Sequence, residues 1–592
     1  MSFKKTLIFF VIFLLLGGYY YFVEVRLAGK KQAAEEAGKK LFRMAAENIQ
    51  EIRLKRPTEE IVLQKQAQGW QLSQPVAAAA DAQTVQSLLD GLVAAQRDKT
   101  ITAKPADVQD FGLDQPELVV TLKAQESGAE ERLSIGKETP TASGWYARIG
   151  DGPAIMTISA SVKTTLDKTL YELRDKTILA FEPAKLKQVT FALKTPDAAT
   201  PQEITLEQTE DRWKIIAPKA YQADTAKMGA LLSNLQSARI KTFIAEDSKD
   251  LAQYGLDQPG TTVSLGMGAD QPVKTLLIGK SDAQNSGFYA KQAAAGNVFV
   301  IPAELVAAFP KNPNDLRDKT LLAFQDDKLR KIELASAKET VVLERAAEEW
   351  KITQPAEFEA DQTKIVTLLA DARTVQVTQF LPDNAANLAS YGLEPPQLQL
   401  RFWEQGPPQP QQLLLGHADA QNTGIYAKLG AQNTVVLVKP DVLKQLTKTA
   451  FDLRYRKILA VDSEQIEKLQ LKYPNLTMLL EKNGTAWQAT MPEKQEVLAY
   501  KVNNVLYDLA ALEFQAEIPT PTADGSVYGF DKPAAEITFW AKGAQNGTTL
   551  LIGKNVEGQE RLYAKTSASA AVYAIAPAFL AELPKDLKTL AE

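Results

Sequence analysis

Tyr254-Gly255-Leu256-Asp257-Gln258-Pro259 opens a series of three motifs on which the organisation of this chain rests. Leu276-Leu277-Ile278-Gly279-Lys280 and Phe288-Tyr289-Ala290-Lys291 follow it. The series occurs four times, and equivalent glycines of successive copies are 143, 137 and 137 residues apart. These glycines are Gly112, Gly255, Gly392 and Gly529. Because a period of this length is the size of a domain and not of a solenoid repeat, the sequence predicts four copies of one fold.

The third copy illustrates the predicted domain. About seven β-rich runs, several of them alternating, lie between residues 331 and 438, as expected for strands. Between the third and fourth runs, Asp361 is placed to accept hydrogen bonds from the first free amides of a helix. The apolar face of that helix comprises Ile365, Leu368, Leu369 and Ala372. A second helix is predicted after Pro440, so each domain belongs to the α+β class, with a mostly antiparallel sheet and about two helices.

The start of the first helix differs between copies. Asp81 and Asp224 stand where copy three has Asp361, whereas copy four has Leu498. A leucine side chain cannot accept a hydrogen bond from a backbone amide. We therefore expect the helix of the fourth domain to begin without a side-chain cap.

The segment that joins successive copies is itself repeated. Residues 173–181 recur at 316–324 and, with changes, at 453–461. A fourth version would begin at Leu590, two residues before the end of the chain. The segment is therefore present where another copy follows, which indicates a structural joint between domains.

The composition of the chain excludes several kinds of functional site. The chain has 67 basic and 72 acidic side chains, no cysteine and a single histidine, His417. A balanced charge argues against a nucleic-acid-binding surface, which needs clustered Lys and Arg. Without cysteine there is no disulfide and no thiolate metal site. No cofactor and no metal site is predicted.

The N-terminus predicts a membrane anchor. Residues 6–23 carry no charge and end in Tyr19-Tyr20-Tyr21-Phe22, which suits the interfacial aromatic belt. Eighteen residues make a helix of about 27 Å, close to the thickness of the hydrocarbon layer. A cleaved signal peptide is the alternative, but its apolar region would end in small residues. We expect a single-pass protein of the bacterial inner membrane, with the bulk of the chain periplasmic.

The predicted division of the chain follows from the anchor and the repeat. A transmembrane anchor over 1–28 is followed by a helical stalk over 29–48, which is rich in Ala, Lys and Glu. Four domains follow the stalk. Their predicted bounds are 49–180, 181–323, 324–460 and 461–592.

One set of repeated residues is a candidate binding face. In each copy a tyrosine is followed, two positions later, by a cation. The set comprises Tyr146, Tyr289, Tyr426, Tyr563, Arg148, Lys291, Lys428 and Lys565. Four tryptophans at the same period could stack on sugars, and these are Trp70, Trp213, Trp350 and Trp487. Packing of amphipathic aromatic side chains in a core explains both sets more simply.

Other motifs favour structural roles. Gly279-Lys280-Ser281 lacks the preceding glycine of a phosphate-binding loop and is better explained as a hairpin end. His417 replaces a lysine in a turn. The acidic residues after the turn glycines are Asp114, Asp257, Glu394 and Asp531, which suit turns. Because a catalytic site is normally one asymmetric constellation, residues present four times are better read as the skeleton of a fold, and we predict no catalytic residue. A hydrolase using paired carboxylates is the least favoured alternative.

The order of these motifs resembles a bacterial family of tandem domains of unknown function. Its members look like single-span envelope proteins, often encoded beside components of gliding-motility-type ABC transporters. The resemblance implies no catalytic residue. It implies a membrane-anchored, non-enzymatic envelope scaffold or accessory protein, working with membrane components of an ABC transporter. A cell-wall or polysaccharide binder that uses the repeated aromatic faces is the alternative function.

Overall fold

The structure, a computed structural model, describes residues 10, 13, 19, 36–101, 108–124, 128–194, 200–210, 212–382, 387–430, 432, 434–519, 522 and 524–592. It divides into two compact units, Met1–Asp318 and Lys319–Glu592. Within the described part, no helix is both long enough and apolar enough to span a bilayer. The predicted anchor over residues 6–23 lies outside the described residues except for Phe10, Phe13 and Tyr19.

Domain one is built on a nine-stranded antiparallel sheet. Its strands are β1 (Ile49–Lys55), β2 (Glu60–Gln66), β3 (Gly69–Gln74), β4 (Ala78–Ala79), β5 (Lys99–Ile101), β6 (Leu118–Ala124), β7 (Glu130–Glu138), β8 (Gly144–Ile149) and β9 (Ile155–Ser159). The strand order is β4-β3-β2-β1-β6-β7-β8-β9-β5. Two meanders therefore meet at β1 and β6 in the middle of the sheet, and β4 and β5 form its edges.

The other three domains have the same sheet, strand for strand. Domain two contains β10 (Gln188–Leu193), β11 (Gln202–Thr209), β12 (Arg212–Ala217), β13 (Tyr221–Gln222), β14 (Thr242–Ala245), β15 (Thr261–Gly266), β16 (Lys274–Ser281), β17 (Gly287–Gln292) and β18 (Val298–Pro302). Domain three contains β19 (Leu329–Ser336), β20 (Thr340–Ala346), β21 (Glu349–Gln354), β22 (Phe358–Glu359), β23 (Gln379–Phe380), β24 (Leu398–Glu404), β25 (Gln411–Ala418), β26 (Ile425–Leu429) and β27 (Val436–Val438). Domain four contains β28 (Ile466–Tyr473), β29 (Leu476–Asn483), β30 (Ala486–Met491), β31 (Gln495–Val497), β32 (Ala516–Glu517), β33 (Ala535–Ala541), β34 (Thr548–Asn555), β35 (Leu562–Thr566) and β36 (Val572–Ile575).

Eleven α-helices accompany the strands in the described residues from 46 to 592. They are α1 (Ala82–Ala94), α2 (Ala160–Leu166), α3 (Leu170–Leu173), α4 (Thr225–Ser237), α5 (Ala303–Ala307), α6 (Gln362–Thr374), α7 (Val442–Leu446), α8 (Ala450–Leu453), α9 (Ala499–Ala511), α10 (Pro577–Glu582) and α11 (Leu587–Ala591). The long helix of each domain lies between the two edge strands in sequence, so it crosses one face of the sheet. In domain three this helix buries Ile365, Leu368, Leu369 and Ala372, as the spacing predicts.

The helix caps also follow the sequence. Asp81, Asp224 and Asp361 each accept a hydrogen bond from an amide in the first turn of their helix. Leu498 makes no side-chain cap. Its own amide donates to the carbonyl oxygen of Leu590 in helix α11 at 2.9 Å. The amides of Asp81, Asp224 and Asp361 make the equivalent bond, each at 2.8 Å.

The repeated Tyr-Gly-Leu turn closes over the hairpin that carries the second repeated glycine. In domain two a short 3-10 helix, Ala252–Tyr254, ends at Gly255, whose φ of 67° is left-handed. Leu256 then returns to the interior and is 2% exposed. A Cβ atom on Gly279 would lie 2.0 Å from the carbonyl oxygen of Tyr254, so only glycine fits there. The same approach occurs at Gly136, Gly416 and Gly553.

The predicted count of about seven strands is too low. The two strands that sequence analysis missed are the edge strands, β22 and β23 in domain three, with two residues each. Two residues are too few to display an alternation of apolar and polar side chains, and these strands form because each pairs with a neighbouring strand of the sheet.

The predicted stalk is wrong over its C-terminal part. Residues 36–39 are helical, but the helix does not continue to residue 48. Leu41 and Phe42 are 3% and 2% exposed and pack in the core of domain one. Burial of these two large apolar side chains outweighs the helix propensity of the surrounding Ala, Lys and Glu residues. Similarly, Ile178 and Leu179, which the predicted boundary at residue 180 assigns to domain one, pack in the core of domain two.

We predict opposite effects for two Gly→Ala substitutions in domain two. Gly279→Ala places a methyl group against the Tyr254 carbonyl and should destabilise the domain by about 1–3 kcal/mol. Gly229→Ala, at an exposed position of α4 with open space around it, should stabilise it by ~1 kcal/mol. Hydrogen exchange of domain-two peptides in the full chain measures both. Equal effects of the two substitutions would contradict the proposed close approach.

Candidate functional site

The candidate tyrosines lie on the face of each sheet that is opposite the long helix, which we call the outer face. In β8, Ala147 is buried in the core, so Tyr146 and Arg148 on either side point the other way. Each tyrosine packs edge-to-face on the aromatic ring of the Tyr-Gly-Leu turn, with centroids 4.6–5.0 Å apart in the four domains. Tyr289, Tyr426 and Tyr563 are, like Tyr146, half-buried. These rings therefore hold the turn against the sheet.

The cations that follow the tyrosines are used differently from one domain to the next. Lys291 donates to the carbonyl oxygens of Gln292 and Ala295, and Lys428 donates to that of Gly430 at 3.1 Å, so both lysines close their own hairpins. Arg148 lies 4.0 Å from exposed Asp151. Lys565 is half-buried. In domains one, two and three the tyrosine and the cation that follows it therefore make separate local contacts.

The four tryptophans are mostly interior. Trp213, Trp350 and Trp487 are 4%, 6% and 2% exposed. A buried indole offers no face to a sugar, so these three side chains do not form a stacking surface. Trp70 is half-buried and packs against the core of domain one.

The remaining candidates are turn residues. Asp114, Asp257, Glu394 and Asp531 are exposed. His417 is exposed, and its Nδ1 lies 2.9 Å from the carbonyl oxygen of the next residue, Ala418. Across the residues that the structure describes, no group of three or more His, Asp or Glu side chains could hold a metal ion.

The repeated joint segment pairs with two domains in succession. Its first half joins domain one, where the Asp175 amide donates to Ala79 of β4 at 2.9 Å. Its second half joins domain two, where the Ile240 amide donates to Lys176 at 2.8 Å. Two adjacent residues, 175 and 176, are thus bound to different domains, which leaves little freedom between these domains.

The arginine of this segment strengthens the joint. Arg174 is 7% exposed in its side chain and donates two hydrogen bonds to the Glu246 carboxylate of domain two, at 2.6 and 2.7 Å. Its guanidinium also lies 3.6 Å from the centre of the Phe243 ring. A two-pronged ion pair stacked on an aromatic ring fixes both distance and orientation. Tyr171 adds a hydrogen bond from its hydroxyl to Ile240 at 2.9 Å.

The second unit has an equivalent joint between domains three and four. The Tyr455 amide donates to Glu359 at 2.8 Å, and the Phe514 amide donates to Arg456 at 3.0 Å. Glu513 of domain four lies 2.7 Å from Arg456 and 3.0 Å from Lys364, a residue of helix α6. Arg454, at the position of Arg174, lies 3.1 Å from Glu517 of domain four, and its guanidinium lies 4.9 Å from the centre of the Phe514 ring. The arginine and the two-sided backbone pairing are thus common to both joints, and the acidic partner differs.

Domain one accepts the preceding chain in the same way. The Leu41 amide donates to Ala95 at 2.9 Å, and the Arg97 amide donates to Lys39 at 2.9 Å. Lys40 pairs with Gln96 as Thr177 pairs with Arg239 in domain two. Residues 39–41, which lie within the predicted stalk, thus occupy the slot that a joint segment fills in the later domains.

One groove on the outer face of domain one was not predicted. It has a volume of about 670 Å³, and five cationic side chains and two carboxylates line it. The cations are Arg53, Lys55, Arg56, Lys123 and Arg132, and the carboxylates are Glu60 and Glu130. Arg53 and Lys55 alternate along one strand in the sequence, which was the available signal. Their neighbours come from β6 and β7, about 70 residues further on, and only the register of the sheet brings them together.

Carboxylates organise one side of this groove. Glu51 lies 3.1 Å from Arg53 and 3.3 Å from Lys123. Burial by itself would raise the pKa of the Glu51 carboxyl, but hydrogen bonds from Arg53, Gln64 and Lys123 outweigh it and hold the pKa below its usual value. Arg56 is held by Asp167 at 2.7 Å. Arg53 and Arg56 are therefore fixed in place by ion pairs at neutral pH.

We predict that Arg174→Leu loosens the joint between domains one and two. Loss of the ion pair and the ring contact should cost about 1–2 kcal/mol, because Glu246 stays partly solvated. Exchange of the Ile240 amide should become about tenfold faster, which hydrogen-exchange mass spectrometry of the full chain measures. Arg212→Leu, at an exposed strand position of domain two, is the control. Unchanged exchange at Ile240 in the Arg174 variant would show that the backbone pairing alone holds the joint.

Comparison with known proteins identifies the repeat. The chain matches the family described as domain of unknown function (DUF4340) four times, over residues 70–214, 213–351, 350–522 and 487–592. The matches begin at the four tryptophans, and the first three run across a joint segment to the tryptophan of the next domain or beyond. No curated protein matches the chain. Because the four matches together extend from residue 70 to the C-terminus, the chain belongs to this family of domains of unknown function.

Proposed function

We propose that the protein is a membrane-anchored, non-enzymatic scaffold or accessory protein of the bacterial envelope, acting with the membrane components of an ABC transporter. The observation that carries the proposal is the joint segment. Within each of the two units it binds two successive domains through backbone pairing on both sides and, in the first unit, through the Arg174–Glu246 ion pair. A chain whose repeated residues form fixed connections between domains is suited to hold partners at set distances.

The way the repeated residues are used supports the same function. The tyrosines hold turns, two of the lysines close hairpins, and the second glycines admit a carbonyl oxygen. Each of these roles is completed inside one domain. The repeated residues therefore maintain the fold of each domain. A scaffold requires no other role of its repeated residues.

The proposed location of the protein in the cell is supported by its sequence. Residues 6–23 have the length and aromatic boundary of an anchor. Because Lys39 and Lys40 pair with domain one as a joint segment does, an anchor over residues 6–23 would be separated from domain one by 15 residues, 24–38. The proposed orientation places the four domains in the periplasm. The association with an ABC transporter rests on the family resemblance.

The topology has a direct test. Alkaline phosphatase fused after Glu592 should be active, because that reporter folds only in an oxidising compartment. Ile12→Arg with Leu15→Arg should release the chain from the membrane and abolish reporter activity, since each arginine at the centre of a span costs about 2.5–3.5 kcal/mol. Ile12→Leu with Leu15→Ile is the matched control. An inactive reporter on the unmodified chain would overturn the proposed location.

The partnership requires a separate experiment. Cells should be cross-linked intact, the membranes dissolved in a mild detergent, and the tagged full chain purified for mass spectrometry. We expect permease or ATPase subunits to be enriched over a control purification of the Ile12→Arg, Leu15→Arg variant. Recovery of the same proteins with both chains, or of no membrane protein in repeated trials, would contradict an accessory role.

A further inference from the structure

We propose that the basic groove on the outer face of domain one binds a ligand through phosphate groups, which would make domain one the ligand-binding member of the four. The groove lies over the middle strands β1, β6 and β7. Its volume of about 670 Å³ falls within the range of small-molecule sites. This binding function goes beyond the scaffold role and does not depend on it.

The floor of the groove carries an unused hydroxyl group. Thr121 is 7% exposed and lines the groove, and its side chain has no hydrogen-bond partner among the described residues. Water reaches this hydroxyl oxygen from the groove, and a ligand oxygen would take the place of that water. Arg53 lies directly opposite Thr121 on one side and Arg132 on the other. A ligand oxygen over Thr121 would therefore sit between two guanidinium groups.

Two of the cations are available to a ligand. Lys55 and Arg132 are exposed, and neither forms an ion pair within the part of the chain that the structure describes. Arg53, in contrast, is held by Glu51 and Glu60. The exposed pair would bind the ligand, and Arg53 would provide a fixed positive charge beside it. Guanidinium and ammonium groups around a hydroxyl donor suit phosphate oxygens.

The size of the cationic area indicates more than one anionic group. Neighbouring strands lie about 4.8 Å apart, so β1 and β7, separated by β6, are about 10 Å apart. That span matches two linked phosphates, or a phosphate on a larger headgroup. Glu130 lies on the rim, opposite Lys123, and would repel a ligand that extended beyond that end.

In the other domains, the residues equivalent to Arg53, Thr121 and Arg132 include side chains that bond to each other. Domain two has Thr190, Ser264 and Thr275, and domain four has Gln470, Thr538 and Thr549. Their hydroxyl groups bond each other, Ser264 to Thr275 at 3.1 Å and Thr538 to Thr549 at 2.9 Å. In domain three Arg401 is paired with Glu333 at 2.6 Å. Domain one alone among these rows combines two arginines with an unpaired hydroxyl in the described structure.

Titration calorimetry of the full chain in a neutral detergent at low ionic strength tests the proposal. One ligand is inorganic pyrophosphate, and the other is dihexanoylphosphatidic acid, a short-chain lipid, below its micelle concentration. Thr121→Val should weaken binding about tenfold, since it removes one hydrogen bond to a charged group and keeps the shape. Lys55→Gln with Arg132→Gln should weaken it more than tenfold and reduce its dependence on salt.

Lys472→Gln is the matched control, because Lys472 occupies in domain four the position of Lys55. It should leave binding unchanged. Binding of both probes indicates recognition of the phosphate group itself. Binding of the lipid alone indicates a lipid headgroup, and binding of pyrophosphate alone indicates a soluble ligand. Each of these results supports the proposal if the groove variants weaken the binding. Absence of binding by both probes, or equal binding by all variants with unchanged hydrogen exchange in domain one, would overturn it.

Discussion

The close approach of one backbone carbonyl to one glycine shapes every domain of this protein. The carbonyl oxygen of Tyr254 lies where the Cβ atom of any other residue at position 279 would be, and the same contact is made in the other three domains. It brings the turn that follows the long helix onto the central hairpin. The left-handed glycine of the turn is followed by an apolar side chain, Leu256 in domain two, that is buried. Turn and sheet are fixed together by this contact.

Domains built in this way are joined by a segment that has no sheet of its own. Within each unit, its backbone forms hydrogen bonds with two neighbouring domains, and its arginine forms an ion pair with a glutamate of the second of them. Backbone groups at a domain edge need partners. A segment that satisfies both edges within four residues therefore restricts the motion between domains more than a flexible linker would.

The outer faces of the sheets have diverged while the skeleton has been kept. One row of three residues, identified by strand register, is basic in domain one, rich in hydroxyl groups in domains two and four, and an ion pair in domain three. Outer-face residues that do not touch the repeated turn are free to change because they do not contribute to the contact between helix and sheet either. Functional differences between the domains are therefore expected on this face, whereas the repeated tyrosines and glycines maintain the fold.

The sequence by itself determined the four domains, the α+β class, the capped long helices and their buried faces, because these depend on spacing along a single segment. It could not give the short edge strands, since two residues show no periodicity, nor the packing of Leu41 and Phe42 in domain one. The basic groove could not be predicted from the sequence either. Arg53, Thr121 and Arg132 are neighbours only through the pairing of three strands, and pairing register is decided by the whole sheet and its core.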